Sequence, residues 1–183
     1  MKNFRLWFPV TTLAALMAAG CMLVSGQFIV TFDFADHGFD PLVVGSPTTL
    51  AGVQVNLNDV DAYADHKNDL KDVADLALVG KVSNLTNTAT AVEVWMVATP
   101  GSLLTTDSAV RAAGQKVWGP LSLPGDGEVQ VDWNRSAALF TGRQALIAEI
   151  KGDGRFDLYA LGSGGYAFQI DKGALIAVIS AGK

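Results

Sequence analysis

Apolar and polar residues alternate along most of this chain, and a period of two confines it to strands with one buried face. Phe28, Val30, Phe32 and Phe34 fall on one side, Thr31 and Asp33 on the other. The same alternation recurs at Val53, Val55 and Leu57, at Val92, Val94 and Met96, at Val129, Val131 and Trp133, and at Phe156, Leu158 and Ala160. Trp133, in phase with Val129 and Val131, is expected in the core. Leu76 to Val82 is a more continuous apolar run, as an interior strand requires. Ala174 to Ser180 supplies a last β-branched strand, and Val117 to Leu123 a weaker one that Pro120 confines to an edge or a bulge. Turn chemistry separates them at Gly45-Ser46-Pro47, Asn84 to Thr88, Pro124 to Gly127, Gly152 to Gly154 and Gly162 to Gly165. About eight short strands broken in this way predict a mostly β chain, an antiparallel sandwich of jelly-roll type, with a closed barrel as the alternative.

Two peripheral helices are expected to interrupt the strands. One spans roughly 59–73, capped by Asn58 or Asp59, with an apolar stripe of Tyr63, Leu70 and Val73 and with His66 at the same spacing. The other spans roughly 136–151, with a break near Gly142 and an end at Gly152. Both should cover sheet edges or the open ends of the sandwich.

The first twenty residues do not belong to this pattern. Lys2 and Arg5 precede an apolar stretch from Leu6 to Met17, and Ala18, Ala19 and Gly20 lead into Cys21. A charged start, an apolar middle and a small-residue exit are the parts of a secretory signal, and the stretch is too short to span a bilayer. Ala-Ala-Gly-Cys resembles the lipobox of bacterial lipoproteins, with Ala18 where that family usually has Leu. The resemblance implies cleavage before Cys21 and acylation of it. Cys21 is the only cysteine, so no internal disulfide is available to it. Several acyl chains give the stable attachment that one alone does not. Met22 stands where an aspartate marks inner-membrane retention in Gram-negative lipoproteins, which by the same resemblance implies the outer membrane. The domains expected are therefore a signal at 1–20, a short lipidated tether at 21–26, and one sandwich domain at 27–183.

Further along, Gln27-Phe28-Ile29-Val30 follows the lipobox at once. An acidic stretch runs from Asp61 to Val73, and Leu158-Tyr159-Ala160 and a Val/Ile strand end the chain. This order resembles uncharacterised small β-sandwich lipoproteins of bacteria, which bring no known activity and no catalytic residue.

Eighteen acidic against 13 basic residues, a net charge of −5 and no basic stripe exclude nucleic acid as a partner. The acidic run makes Asp59, Asp61 and Asp65 the candidate calcium ligands. The EF-hand spacing fails, because Ala64 and Leu70 occupy the glycine and closing-glutamate positions. A solvated helix face is the plainer reading, and no other cofactor is implied. His66 is expected to face the core, and His37 to lie in a loop. Gly162-Ser163-Gly164-Gly165 is not a nucleophile elbow, and no pair of carboxylates is singled out, so the chain is read as non-catalytic. Trp95, in phase with Glu93, and Trp118, beside Gly119-Pro120, are candidates for stacking on sugar rings. The expected role is a membrane-anchored envelope lipoprotein with a structural or protein-interaction task. The alternative is a glycan- or calcium-binding module.

Overall fold

The computed structural model describes residues 26–45, 50, 52–98 and 101–182. Nine strands appear among them: β1 (Gly26–Asp33), β2 (Leu42–Gly45), β3 (Gly52–Asn56), β4 (Leu70–Asn84), β5 (Thr90–Val97), β6 (Gln115–Leu123), β7 (Glu128–Val131), β8 (Arg155–Leu161) and β9 (Ala167–Ala181). One sheet runs β1-β9-β4-β7, the other β3-β8-β5-β6, and every pairing is antiparallel. β2 pairs with β9 beyond the end of β1, so the two form one edge strand split by an excursion over 34–41. Counted that way the sandwich has eight strands, in the order of two Greek keys that define a jelly roll. No closed barrel forms.

The alternation explains the packing. Val30 and Phe32 of β1 point inward and meet Phe156, Phe168, Leu76 and Leu175 in one core, while Ile29 points out and is 66% exposed. Pro120 sits where expected, on an edge strand and at a bulge: Val92 pairs with Leu121 and Val94 with Trp118, leaving Gly119 and Pro120 opposite a single residue. Gly119 has φ +97, and a Cβ there would lie 2.6 Å from the Val92 carbonyl oxygen, so the bulge requires glycine.

The predicted helix over 59–73 is corrected. Only α1 (Asp61–Ala64) is α-helical, flanked by 3-10 turns at Leu57–Asp59 and Lys67–Asp69. Leu70 and Val73, read as helix stripe, instead pair with Ala181 and Ile179 of β9. A fifteen-residue ladder outweighs the propensity of a stretch whose Asn and Asp side chains compete for backbone groups.

The second helix is present as two, α3 (Trp133–Leu139) and α4 (Arg143–Lys151), parted at Gly142 as the sequence indicates. Trp133 is not a strand residue. The Asp132 carboxylate accepts the Arg135 N–H at 2.8 Å and starts α3 one residue after it, leaving Trp133 half-buried with its indole N–H on Asp75. These helices cover a sheet edge. β7 pairs only with Gly80–Ser83 of β4, and below that Ser136 Oγ accepts the Leu78 N–H, Arg143 donates to the Ala74 carbonyl and Lys151 to the Lys71 carbonyl. A further helix, α2 (Asp107–Ala113), is capped by Thr106 and lies on the β3-β8-β5-β6 sheet. Among the described residues no helix is long and apolar enough to cross a membrane.

Candidate functional site

The interior offers little room. Between the sheets, Leu78, Val92, Trp118 and Leu158 border a free space of about 50 Å³, enough for a water or a few and too small for a sugar or an acyl chain.

Trp118 does not serve as a stacking residue. It is 3% exposed, and its indole N–H reaches both the carbonyl and Oγ of Ser136. It lies on an edge strand, but its ring faces inward and α3 closes over it. Trp95 is on the outer side of its sheet, half-buried, with the Arg111 guanidinium 5.0 Å from its ring centroid and its N–H on Glu93. Glu93 also accepts Lys116 at 3.0 Å and Arg111 at 3.2 Å. Burial pushes the Glu93 carboxyl up, but these three donors prevail and hold it below its ordinary value. Trp95 is thus engaged at the surface by Glu93 and Arg111.

Asp59 lies on the 3-10 turn before α1, and Asp61 and Asp65 at the two ends of α1. Asp59 accepts the Asn56 amide at 2.9 Å. Among the described residues no group of three or more potential metal-binding side chains converges. The two histidines have an unforeseen common feature. His66 stacks on Phe28 with centroids 3.8 Å apart, and His37 stacks on Phe32 at 3.9 Å. Ser163 is paired with the backbone and hydroxyl of the Thr90–Ala91 segment. Cys21 lies outside the described residues.

One buried carboxylate escaped the sequence reading. On the outer face of the β3-β8-β5-β6 sheet, α2 and the 101–106 segment cover a small second core of Val97, Val110, Tyr159 and Leu161. Tyr166 secures α2 by donating to both oxygens of Asp107 at 3.0 Å; burial, then Asp107, push its hydroxyl up to about 12. Tyr159 holds the covering segment by accepting the Leu104 N–H at 2.9 Å, and it donates to Asp157 Oδ2 at 3.4 Å. Asp157 is 1% exposed, and its Oδ1 has no hydrogen-bond partner among the described residues. Burial pushes this carboxyl up, against the pull of Tyr159 and Gln54.

A raised folded value means that the contribution of Asp157 to stability is fully present below its unfolded pKa and is lost as pH rises through the folded one. Asp157→Asn, which cannot ionise, is therefore expected to flatten that decline. Urea unfolding of both proteins from pH 4 to pH 8 checks this. Parallel pH profiles would contradict it.

Two surface features remain. The first is the edge of β1. It pairs with β9 without interruption from Gly26 to Asp33, and its other side pairs with no strand among the described residues. It carries no Lys, no Pro and no bulge, the usual guards of an exposed edge. The second is a polar hollow of about 370 Å³ lined by Asn58, Lys67, Asn68, Gly152, Asp153 and Arg155. Compared with known proteins, the sequence matches no family and no curated relative.

Proposed function

We propose that the chain is a bacterial envelope lipoprotein, held on the outer membrane through acylated Cys21, whose jelly-roll body binds a protein partner and catalyses no reaction. The anchor rests on the lipobox; only a few residues separate Cys21 from β1, so the body would sit close to the lipid. The protein-binding role rests on one observation, the eight-residue edge of β1, which pairs with no further strand among the described residues and has Ile29 exposed beside it. Such an edge presents a row of backbone donors and acceptors to which an extended segment of a partner can add as a further strand.

Glycan and calcium binding find less support. Trp118 is buried, Trp95 is half-buried under the Arg111 guanidinium, and among the described residues no three metal-binding side chains converge. The fold decides nothing here, since jelly rolls serve many tasks.

The test uses the lipidated protein with Ile29→Lys, which places an edge guard on an exposed outward position and leaves the core untouched. Chemical crosslinking in intact envelopes should give a defined adduct with the parent protein. The variant is expected to yield at least tenfold less of that adduct at equal expression. Equal yields would defeat the edge as the binding surface.

A further inference from the structure

We infer that the hollow between the Lys67–Asp69 turn and the 152–155 turn is a seat for a phosphate-type oxyanion. In a chain with 18 acidic residues, cations find carboxylates easily: Lys81, Arg111, Lys116, Arg143 and Lys151 all form ion pairs. Lys67, Arg135, Arg155 and Lys172 form none among the described residues, and of these Lys67 and Arg155 line one hollow together.

They are held by neutral amides instead. Lys67 Nζ donates to Asn58 Oδ1 at 2.8 Å, and Arg155 Nε donates to Asn56 Oδ1 at 3.3 Å. Asn58 is itself fixed, its amide donating to Asn56 Oδ1 and to the Asp153 carbonyl at 2.9 Å each. A carboxamide oxygen orients a cation without cancelling its charge. The terminal guanidinium nitrogens of Arg155 and the remaining ammonium protons of Lys67 stay available, and the Asn68 amide stands at the same hollow. A planar fork beside a point charge suits a tetrahedral oxyanion. One carboxylate, Asp153, also lines the hollow, its Oδ1 accepting the Arg155 backbone N–H at 2.9 Å, so two cations there face one anion.

The position of the hollow bears on the source of the anion. Leu70, directly after the Lys67–Asp69 turn, pairs with Ala181, which pairs with Gly26, and the Asp69 carbonyl accepts the Gly182 N–H. The hollow thus lies at the end of the sandwich from which the chain runs back to Cys21. A phosphodiester of a lipid headgroup and free inorganic phosphate share the required chemistry. The headgroup source rests on the anchor proposed above; the oxyanion seat does not.

The experiment uses the full-length lipidated protein in a non-ionic detergent, titrated calorimetrically with inorganic phosphate and separately with monomeric dihexanoyl phosphatidylglycerol. At least one is expected to bind saturably at a single site. That binding should weaken at least tenfold in Lys67→Gln and in Arg155→Gln and stay unchanged in Arg135→Gln on α3, with urea midpoints equal throughout. Binding of the lipid identifies a headgroup seat, and binding of phosphate alone identifies the free anion. Saturable binding of neither, or equal binding by all variants, would overturn the seat. Failure of the anchor would appear elsewhere, as an unmodified mature terminus, without touching this titration.

Discussion

Changing Cys21 to alanine is expected to remove every acyl chain and with them the firm hold of the protein on the membrane. Each buried methylene contributes about 0.8 kcal/mol, and a single myristoyl chain gives only marginal, reversible binding, with an association constant of about 10⁴ M⁻¹. A cysteine carrying chains on both its sulfur and its amino group is far beyond that limit, and no helix among the described residues is long and apolar enough to cross a bilayer. Mass spectrometry of the parent protein should show cleavage before residue 21 and the added acyl mass. The variant should be either uncut or cut and recovered in the soluble fraction. A processed Cys21→Ala protein that still sediments with washed membranes would refute the anchor. So would a parent protein whose mature sulfur is unmodified.

The proposed anchor rests on a local string, residues 1–21, that lies outside the described residues. The strands were legible because inward positions such as Val30, Phe32, Val53 and Val55 recur every second residue, and a buried sheet face leaves no other arrangement. Pro120 pointed to its edge bulge, and Gly142 to the break between α3 and α4.

The failures share a cause as well. Leu70 and Val73 fit a helical stripe, yet long-range pairing with β9 claims them, and no local pattern encodes a partner a hundred residues away. β2 was missed because Leu42 to Gly45 is short and makes sense only as the continuation of β1 along β9. α2 did carry a visible cap in Thr106, followed by an alanine-rich segment. Asp157 alternates like an outward residue, which it is. Its burial comes from the 101–106 segment and α2 lying over that face, and sequence periodicity does not report a second layer. The cations of the basal hollow were likewise invisible, since Lys67 and Arg155 are far apart in the chain and only the fold brings them together.

Replacing Trp118 by alanine should be the most damaging single change in the described body, lowering the unfolding free energy by about 3–5 kcal/mol. A domain of this size holds only about 5–15 kcal/mol in total, so the variant would be marginal at best. The ring is buried where β6, α3 and the core meet, and its removal leaves a cavity beside a free space that is already present. Its N–H is one of two donors converging on Ser136; the other is the Leu78 N–H, on the length of β4 edge that β7 does not reach. Ser136→Ala should therefore cost about 1–3 kcal/mol, because it orphans a buried backbone donor and weakens the indole bond at once. Trp118→Phe keeps most of the volume and should fall between Trp118→Ala and the parent. If Ser136 couples the tryptophan to the sheet edge, Trp118→Phe and Ser136→Ala together should cost less than their sum, since each removes part of the same contact. Urea unfolding of the four proteins measures this directly. Full additivity would mean that the serine serves the β4 edge alone and that Trp118 acts through packing only.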